Sequence, residues 1–211
     1  MKTPRTVILA AVCALLPSWG VARTALDFFT DPAAPIGFVS ANTRLDMADY
    51  FREGMAYDSK NVFDEPVRII RADSVSVTFR TASQCETTLS LLECAGDTIL
   101  ITAETVRLPQ PDGKVEMWDT AWNPLAKPVI SDYTLDDWLT DQGRAERSEV
   151  EAWLPFMLAV PQFDAASGRL VWTNTLGSYF AGSEESDRIA RWIKPSLSYT
   201  FDGRRFRLDK N

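Results

Sequence analysis

The stretch Val75–Asp119 decides the predicted fold, and it reads VSVTFRTASQCETTLSLLECAGDTILITAETVRLPQPDGKVEMWD. Its first segment alternates apolar and polar residues and places Val75, Val77 and Phe79 on one face, which is typical of a half-buried strand. Turn-forming residues then separate three further β-rich segments, because Gly and Asp tolerate the positive φ of tight hairpins. The stretch therefore predicts a four-stranded antiparallel meander.

Two Asp-Gly pairs predict two-residue hairpin loops, one at Asp112-Gly113 inside the meander and one at Asp202-Gly203 near the C-terminus. A loop of this kind requires positive φ at both residues. At the C-terminal hairpin it would place Tyr199 opposite Phe206 on the buried face, with basic residues on the other face.

A first helix is predicted over residues 43–54, which follow a segment with two prolines. Leu45, Ala48, Phe51 and Met55 recur at helical spacing and predict its buried face. A Thr and an Asp three residues apart at its start have the spacing of a capping box.

The predicted fold class is α+β: a meander of about four strands over residues 75–119, a few short helices packed on the sheet, and a smaller C-terminal half with strand, helix and hairpin. Further predicted elements are a loop-like arm packed on the core (26–40), a strand pair (156–163 with 169–175) and two helices (148–154 and 186–193). The mature chain forms either one compact domain, residues 24–211, or two lobes, residues 24–125 and 129–211.

Residues 1–22 have the organisation of a signal peptide, with basic Lys2 and Arg5, a short apolar run and small residues before a cut after Ala22. The run is too short to span a bilayer, which needs about 20 apolar residues. Cys13 lacks the small preceding residue of a lipoprotein signal, which disfavours a lipid anchor. We therefore expect a periplasmic or secreted protein without a transmembrane segment.

The mature chain is acidic. Removing Lys2 and Arg5 from the 22 basic residues leaves 20 against 29 acidic ones, a formal charge of −9. This balance argues against nucleic acid and anionic membranes as partners, since both need clustered Lys and Arg. The partners that remain open are an unidentified protein or a glycan.

Cys85 and Cys94 are the two cysteines of the mature chain. They bracket one predicted strand, so their Cα atoms should lie about 30 Å apart, whereas a disulfide needs less than about 7 Å. The sequence predicts two separate thiols.

The sequence contains no histidine. This excludes Ser-His-Asp and Cys-His catalytic sites and His-ligated zinc. No phosphate-binding loop or dinucleotide fingerprint is present either, and we expect no cofactor. Carboxylate chemistry remains, and its best candidates are Asp132, Asp136, Asp137 and Asp141. They could hold calcium or form an acid/base pair, but they lack the spacing of a calcium loop, and aspartates at helix starts explain them better.

Tryptophan is abundant for a chain of this length, with seven residues. A row of exposed indole rings, in particular Trp118 and Trp122, would suit stacking on a sugar ring. The interpretation favoured for tryptophans in general is a core anchor whose N–H is bonded at the rim.

Several motifs resemble a secreted family of the Bacteroidales, domain of unknown function 3256. They are the segment NTRLD at residues 42–46, the end of the meander in WDTAW at 118–122, and the terminal YTFDGRRF at 199–206. The resemblance extends over almost the whole mature chain. It implies no known activity, ligand or catalytic residue.

Three functions therefore remain, of which the third, a protease or enzyme inhibitor, would show an exposed apolar patch larger than about 600 Å² on the meander. The first is a non-catalytic exported protein that binds or scaffolds a partner through its sheet face. The alternative is a carboxylate-dependent hydrolase acting on a glycan, which needs two carboxyl groups about 5–9.5 Å apart in a cleft.

Overall fold

The strands form two antiparallel sheets, one of six strands and one of four, with short helices packed on them. The computed structural model describes residues 22–125, 129–130, 132–183 and 185–209. The α+β fold class is confirmed. The predicted signal peptide, residues 1–22, lies outside the described residues except for Ala22.

The larger sheet contains the predicted meander and two strands before it. Its strands follow in sequence order, namely β1 (Ser59–Lys60), β2 (Pro66–Ala72), β3 (Ser76–Ala82), β4 (Cys85–Cys94), β5 (Asp97–Val106) and β6 (Asp112–Trp118). β4 and β5 join through the two-residue loop Ala95-Gly96, where φ is 55° and 94°. Cys85 and Cys94 occupy the two ends of β4 and are free thiols, as the sequence predicts.

The smaller sheet is formed by the C-terminal half, in the order β10-β9-β8-β7. Its strands are β7 (Ala159–Asp164), β8 (Arg169–Asn174), β9 (Ser196–Phe201) and β10 (Phe206–Leu208). The predicted strand pair and final hairpin are therefore neighbours in a single sheet, with β9 between β8 and β10.

Seven helices belong to the described part of the chain, and all but one are shorter than nine residues. They are α1 (Ala25–Phe29), α2 (Ala41–Arg52), α3 (Leu135–Trp138), α4 (Asp141–Ala145), α5 (Arg147–Trp153), α6 (Leu176–Tyr179) and α7 (Glu185–Trp192). The arm over residues 26–40 packs on the core as predicted, but it begins with α1, which the sequence analysis missed. No helix within these ranges is long and apolar enough to cross a bilayer.

The buried face predicted for the first helix is only partly right. Ala48 is buried and Phe51 half-buried as predicted, but Leu45 and Met55 are 45% and 54% exposed, and Met47 is buried instead. The reason is Arg44, whose guanidinium is buried and donates hydrogen bonds to three backbone carbonyls of the arm. An apolar pattern cannot reveal a buried arginine, so the helix is rotated relative to the prediction. The helix begins after Ser40, whose hydroxyl accepts from the Thr43 N–H, and not at a capping box.

The loop predicted at Asp112-Gly113 is also wrong. Val106 pairs with Asp112, so the loop comprises residues 107–111 and Gly113 lies within β6. Pro109 and Pro111 belong to this loop, where a missing N–H costs no ladder hydrogen bond.

Gly113 is needed for close packing and not for a turn. A Cβ atom there would lie 2.4 Å from the carbonyl oxygen of Glu104 and 2.4 Å from Cδ of Pro161 in β7. The two sheets approach each other at this point, and only a residue without a side chain leaves room.

The C-terminal hairpin has a longer loop than predicted. Phe201 pairs with Phe206, so four residues, 202–205, form the loop, and positive φ occurs at Gly203 alone among them. Asp202 stabilises it, because its Oδ1 accepts from the backbone N–H groups of Arg204 and Arg205. The register differs from the prediction by two residues, so Tyr199 stays on the buried face, where it is 6% exposed.

The two faces of the larger sheet contribute to two different hydrophobic clusters. On β4, Leu92 packs in the cluster shared with the smaller sheet, while Leu89 packs in the cluster with α1, α2 and the arm. Because α1 and α2 are short, they cover only part of that second face. The uncovered part is the region where a ligand has access to the sheet.

Candidate binding cleft

A cleft of about 510 Å³, here called the sheet cleft, lies over the uncovered part of the larger sheet. Its floor consists of alternate residues from four neighbouring strands: Phe79 and Thr81 of β3, Cys85, Thr87 and Leu89 of β4, Thr102, Glu104 and Val106 of β5, and Lys114, Glu116 and Trp118 of β6.

The strand register explains why these side chains meet. Thr87 lies opposite both Phe79 and Glu104, and Glu104 lies opposite Lys114. Directly opposed residues of an antiparallel sheet project to the same face, and so do residues two apart on one strand. The register therefore gives the cleft a floor of aromatic, hydroxyl and charged groups.

One wall is the part of the arm at residues 35–38, which Arg44 holds in position. The Arg44 guanidinium donates to the carbonyl oxygens of Phe29, Asp31 and Val39 at 2.8–2.9 Å, on both sides of the wall segment. Burial lowers the pKa of this group. Removing Arg44 would free both ends of the wall.

The turn over residues 61–65 continues this wall. The Asn61 side chain donates to the Thr81 carbonyl at 2.7 Å and accepts from the N–H groups of Phe63 and Glu65. Phe63 in turn packs against Phe38 of the arm, with 5.0 Å between the ring centroids. Both rings are more than half exposed, so they form an apolar rim that water contacts.

The opposite wall contains Trp122, whose ring meets that of Trp118 on the floor edge to face, with 6.1 Å between the ring centroids. Trp118 donates its indole N–H to the Thr102 hydroxyl at 3.3 Å. The Asp119 carboxylate accepts from the backbone of Ala121 and from the backbone and side chain of Asn123, which lowers its pKa. This closed turn holds Trp122 at a φ of 64°.

The charged groups of the floor are not balanced. Lys114 forms an ion pair with Glu116 at 3.0 Å, and hydrogen bonding to Glu116 raises the pKa of Lys114. Glu104 lies opposite Lys114 and its charge also raises the pKa of Lys114, but the half-buried Glu104 carboxylate makes no hydrogen bond or ion pair with any residue that the structure describes. Burial raises the pKa of the Cys85 thiol, which disfavours the nucleophilic thiolate.

A second cavity, here called the edge cleft, has a volume of about 570 Å³ and adjoins the first. The two share Glu104, Val106 and Lys114. The walls of the edge cleft are mostly apolar and come from the loop 107–111 and the C-terminal half, with Leu108, Pro109, Phe156, Leu158 and Tyr179. Together the clefts form one groove with Glu104 near its middle.

The four candidate aspartates lie outside this groove, and each has its own surroundings. Asp136 is paired with Arg147, Asp141 with Arg144, and Asp137 accepts from Thr134 in a capping box at α3. Asp132 is exposed beside a small cavity of about 260 Å³ next to Trp172. Within the described ranges, no group of three acidic or cysteine residues has the geometry to hold a metal ion.

The described tryptophans have three kinds of surroundings. Trp138, Trp172 and Trp192 are at most 7% exposed and belong to the core; the Trp192 N–H donates to Glu146, as the favoured interpretation expects, whereas the Trp138 N–H has no partner among the described residues. Trp118 and Trp122 line the sheet cleft, although Trp122 is only 6% exposed, and Trp153 is exposed on α5. Sequence reasoning missed Glu104, and its position on one face of β5 with Thr102 and Val106 was the signal available.

The chain resembles a solved structure of a domain of an uncharacterized protein from Porphyromonas gingivalis W83, with a TM-score of 0.70 and 18% identity over 86% of this chain and 96% of that chain. At this identity the likeness shows the fold alone. No curated protein matches the chain. The family model described as "Protein of unknown function (DUF3256)" matches residues 21–206, and the chain therefore belongs to that family.

Proposed function

We propose that the protein is exported and that it binds a partner in the sheet cleft without catalysis. The observation that carries this proposal is the uncovered sheet face with walls on both sides, each fixed by buried or closed hydrogen-bond networks around Arg44, Asn61 and Asp119. A volume of about 510 Å³ falls within the usual size range of ligand sites, roughly 300–1,000 Å³. A preformed cleft costs little ordering entropy on binding.

The lining also has the chemistry of a binding site. Apolar rings such as Phe79 and Trp118 provide contact area, while Thr81, Thr87 and Glu104 provide polar groups that orient a ligand. Sites of this kind combine a mainly apolar surface with a few convergent polar groups.

The test is a pull-down with the mature chain from periplasm and culture medium, with Trp118→Ala as the cleft variant. Trp153→Ala is the matched control, because Trp153 is 44% exposed and lies on α5, outside the cleft lining. We expect one partner to be retained by the wild type and by the control and lost by Trp118→Ala. Equal retention by all three proteins would refute binding in the sheet cleft.

The alternative, a carboxylate-dependent hydrolase acting on a glycan, has a candidate pair in the same cleft. Glu104 and Glu116 are diagonal neighbours on β5 and β6. Such neighbours lie about 7–8 Å apart, with their Cβ atoms somewhat closer, so the two carboxyl groups can reach the separation of about 5–9.5 Å that glycosidases use. Hydrolysis of a glycan panel by the wild type, abolished by both Glu104→Gln and Glu116→Gln, would favour the hydrolase over the binding protein.

A further inference from the structure

The groove has a carboxylate without a close partner at its middle and apolar surface at both ends. Glu104 belongs to the lining of both clefts and lies opposite Lys114, whose pKa its charge raises, but its side chain makes no hydrogen bond or ion pair among the described residues. A half-buried carboxylate gains most from a ligand that donates charge-assisted hydrogen bonds to it.

The surroundings of Glu104 reinforce its charge. The groove is lined by four acidic residues, Glu65, Glu104, Asp112 and Glu116, and by one basic residue, Lys114. Because Lys114 is already paired with Glu116, the groove keeps an excess of negative charge. This favours a cationic group and disfavours carboxylates and phosphates in the ligand.

Apolar surface lies on either side of this charge. Phe38, Phe63 and Trp118 line the sheet cleft, and Leu108 and Tyr179 line the edge cleft. Phe38, Phe63, Leu108 and Tyr179 are each at least half exposed, so a ligand that covers them removes apolar surface from water. Neutral glycans provide no cation and few groups that would fill two apolar clefts.

We propose that the groove binds an extended segment of a partner polypeptide in which a Lys or Arg is flanked by large apolar side chains. In an extended chain, residues two apart project to the same side about 6.6 Å from each other. The motif is therefore apolar–x–basic–x–apolar, with the basic side chain at Glu104 and one apolar side chain in each cleft. This inference rests on the binding function proposed above and names its ligand class.

The test is selection from a displayed library of random seven-residue peptides on the wild-type chain, followed by measurement of the dissociation constant for selected peptides. We expect enrichment of Lys or Arg with apolar residues two positions before and after it. Replacing that basic residue by Gln, or making the Glu104→Gln variant, should weaken binding about 10- to 100-fold, the range of a hydrogen bond to a charged group.

Glu149→Gln is the matched control, since it removes the same charge from an exposed position of α5, and it should leave the affinity unchanged. Reversing the charge at Glu104 should change the peptide preference: the Glu104→Lys variant should select peptides with Glu, in place of Lys or Arg, at the central position. The inference is overturned if no peptide is enriched, if the enriched peptides lack a basic residue, or if Glu104→Gln and Glu149→Gln bind equally well. In each of those cases the pull-down with Trp118→Ala still decides the proposed binding function separately.

Discussion

Replacing Gly113 by Ala should destabilise the protein, because the added methyl group has no space. Its Cβ would lie 2.4 Å from the Glu104 carbonyl oxygen and 2.4 Å from Cδ of Pro161, whereas ordinary contacts begin at 3.4 Å. A backbone oxygen and a proline ring have little freedom to move, so β6 would have to shift by roughly 1 Å relative to both β5 and β7. Overpacking of this kind costs about 1–3 kcal/mol.

The measurement is urea unfolding of the wild type and the variant, with the free energy of unfolding taken from the midpoint and slope. Gly177→Ala in α6 is the matched control, since nothing lies within 4 Å of a Cβ atom there. In a helix this exchange is neutral or stabilises by up to about 1 kcal/mol. For a chain of this size, each kcal/mol lost lowers the melting temperature by about 2–4 °C.

A second substitution distinguishes close packing from a turn at the same position. Asn tolerates positive φ, so Gly113→Asn would be accepted in a two-residue loop but is too large for a strand packed against Pro161. We expect Gly113→Asn to be less stable than Gly113→Ala. The reasoning is refuted if Gly113→Ala is as stable as Gly177→Ala, or if Asn is better tolerated than Ala.

Three further predictions concern the core. Deleting residues 196–211 removes β9 and β10, which are half of the smaller sheet, so the whole chain should lose its cooperative thermal transition. An unchanged melting temperature would show that the hairpin is an appendage. Met47→Ala should lower the free energy of unfolding by about 2–5 kcal/mol, because Met47 is 2% exposed. Asp49→Ala, at an exposed position of the same helix, should lower it by less than about 0.5 kcal/mol. Equal losses for the two variants in urea unfolding would contradict the orientation of α2. Burial raises the pKa of Tyr199 to about 12. The neutral form of Tyr199 therefore stabilises the fold below the unfolded pKa near 10, and this stabilisation is lost as the pH rises towards 12. Tyr199→Phe should unfold at a higher pH than the wild type. If the variant unfolds at the same pH, ionisation of Tyr199 does not cause the alkaline unfolding.

Local patterns were sufficient for the four strands of the meander, although not for β1. Val77 and Phe79 are buried on one face of β3, as their alternation predicts, whereas Val75 precedes the strand and is 42% exposed. The turn between β4 and β5 could be predicted because Gly96 tolerates the positive φ that a tight turn requires. The two cysteines could be predicted to be separate thiols because the length of β4 lies between them. These features depend on period and turn chemistry, which a short segment carries by itself.

The strand register of the two hairpins could not be predicted from the Asp-Gly pairs. At the C-terminus the carboxylate of Asp202 accepts from Arg204 and Arg205 and stabilises a four-residue loop. In the meander, Gly113 lies within β6 and not in a turn, because the close approach of Pro161 leaves no space for a side chain at that position. In both cases the glycine or aspartate serves a contact other than a two-residue turn.

The buried arginine of α2 shows the same limit. Arg44 has carbonyl partners at Phe29, Asp31 and Val39, which are five to fifteen residues away along the chain. A charged side chain can be buried once its donors are satisfied. Apolar periodicity cannot indicate this, so the face predicted for α2 was rotated.

The sequence by itself determined the fold class, the strands of the meander, the two free thiols and the absence of histidine chemistry, because each depends on residue type or short-range spacing. Only the tertiary structure decided the groove. Thr87, Thr102 and Glu104 look like the solvent face of alternating strands, and they line a cleft because the arm and the turn around Asp119 rise on either side of them. Those walls come from residues that are distant in the chain, and long-range packing places them.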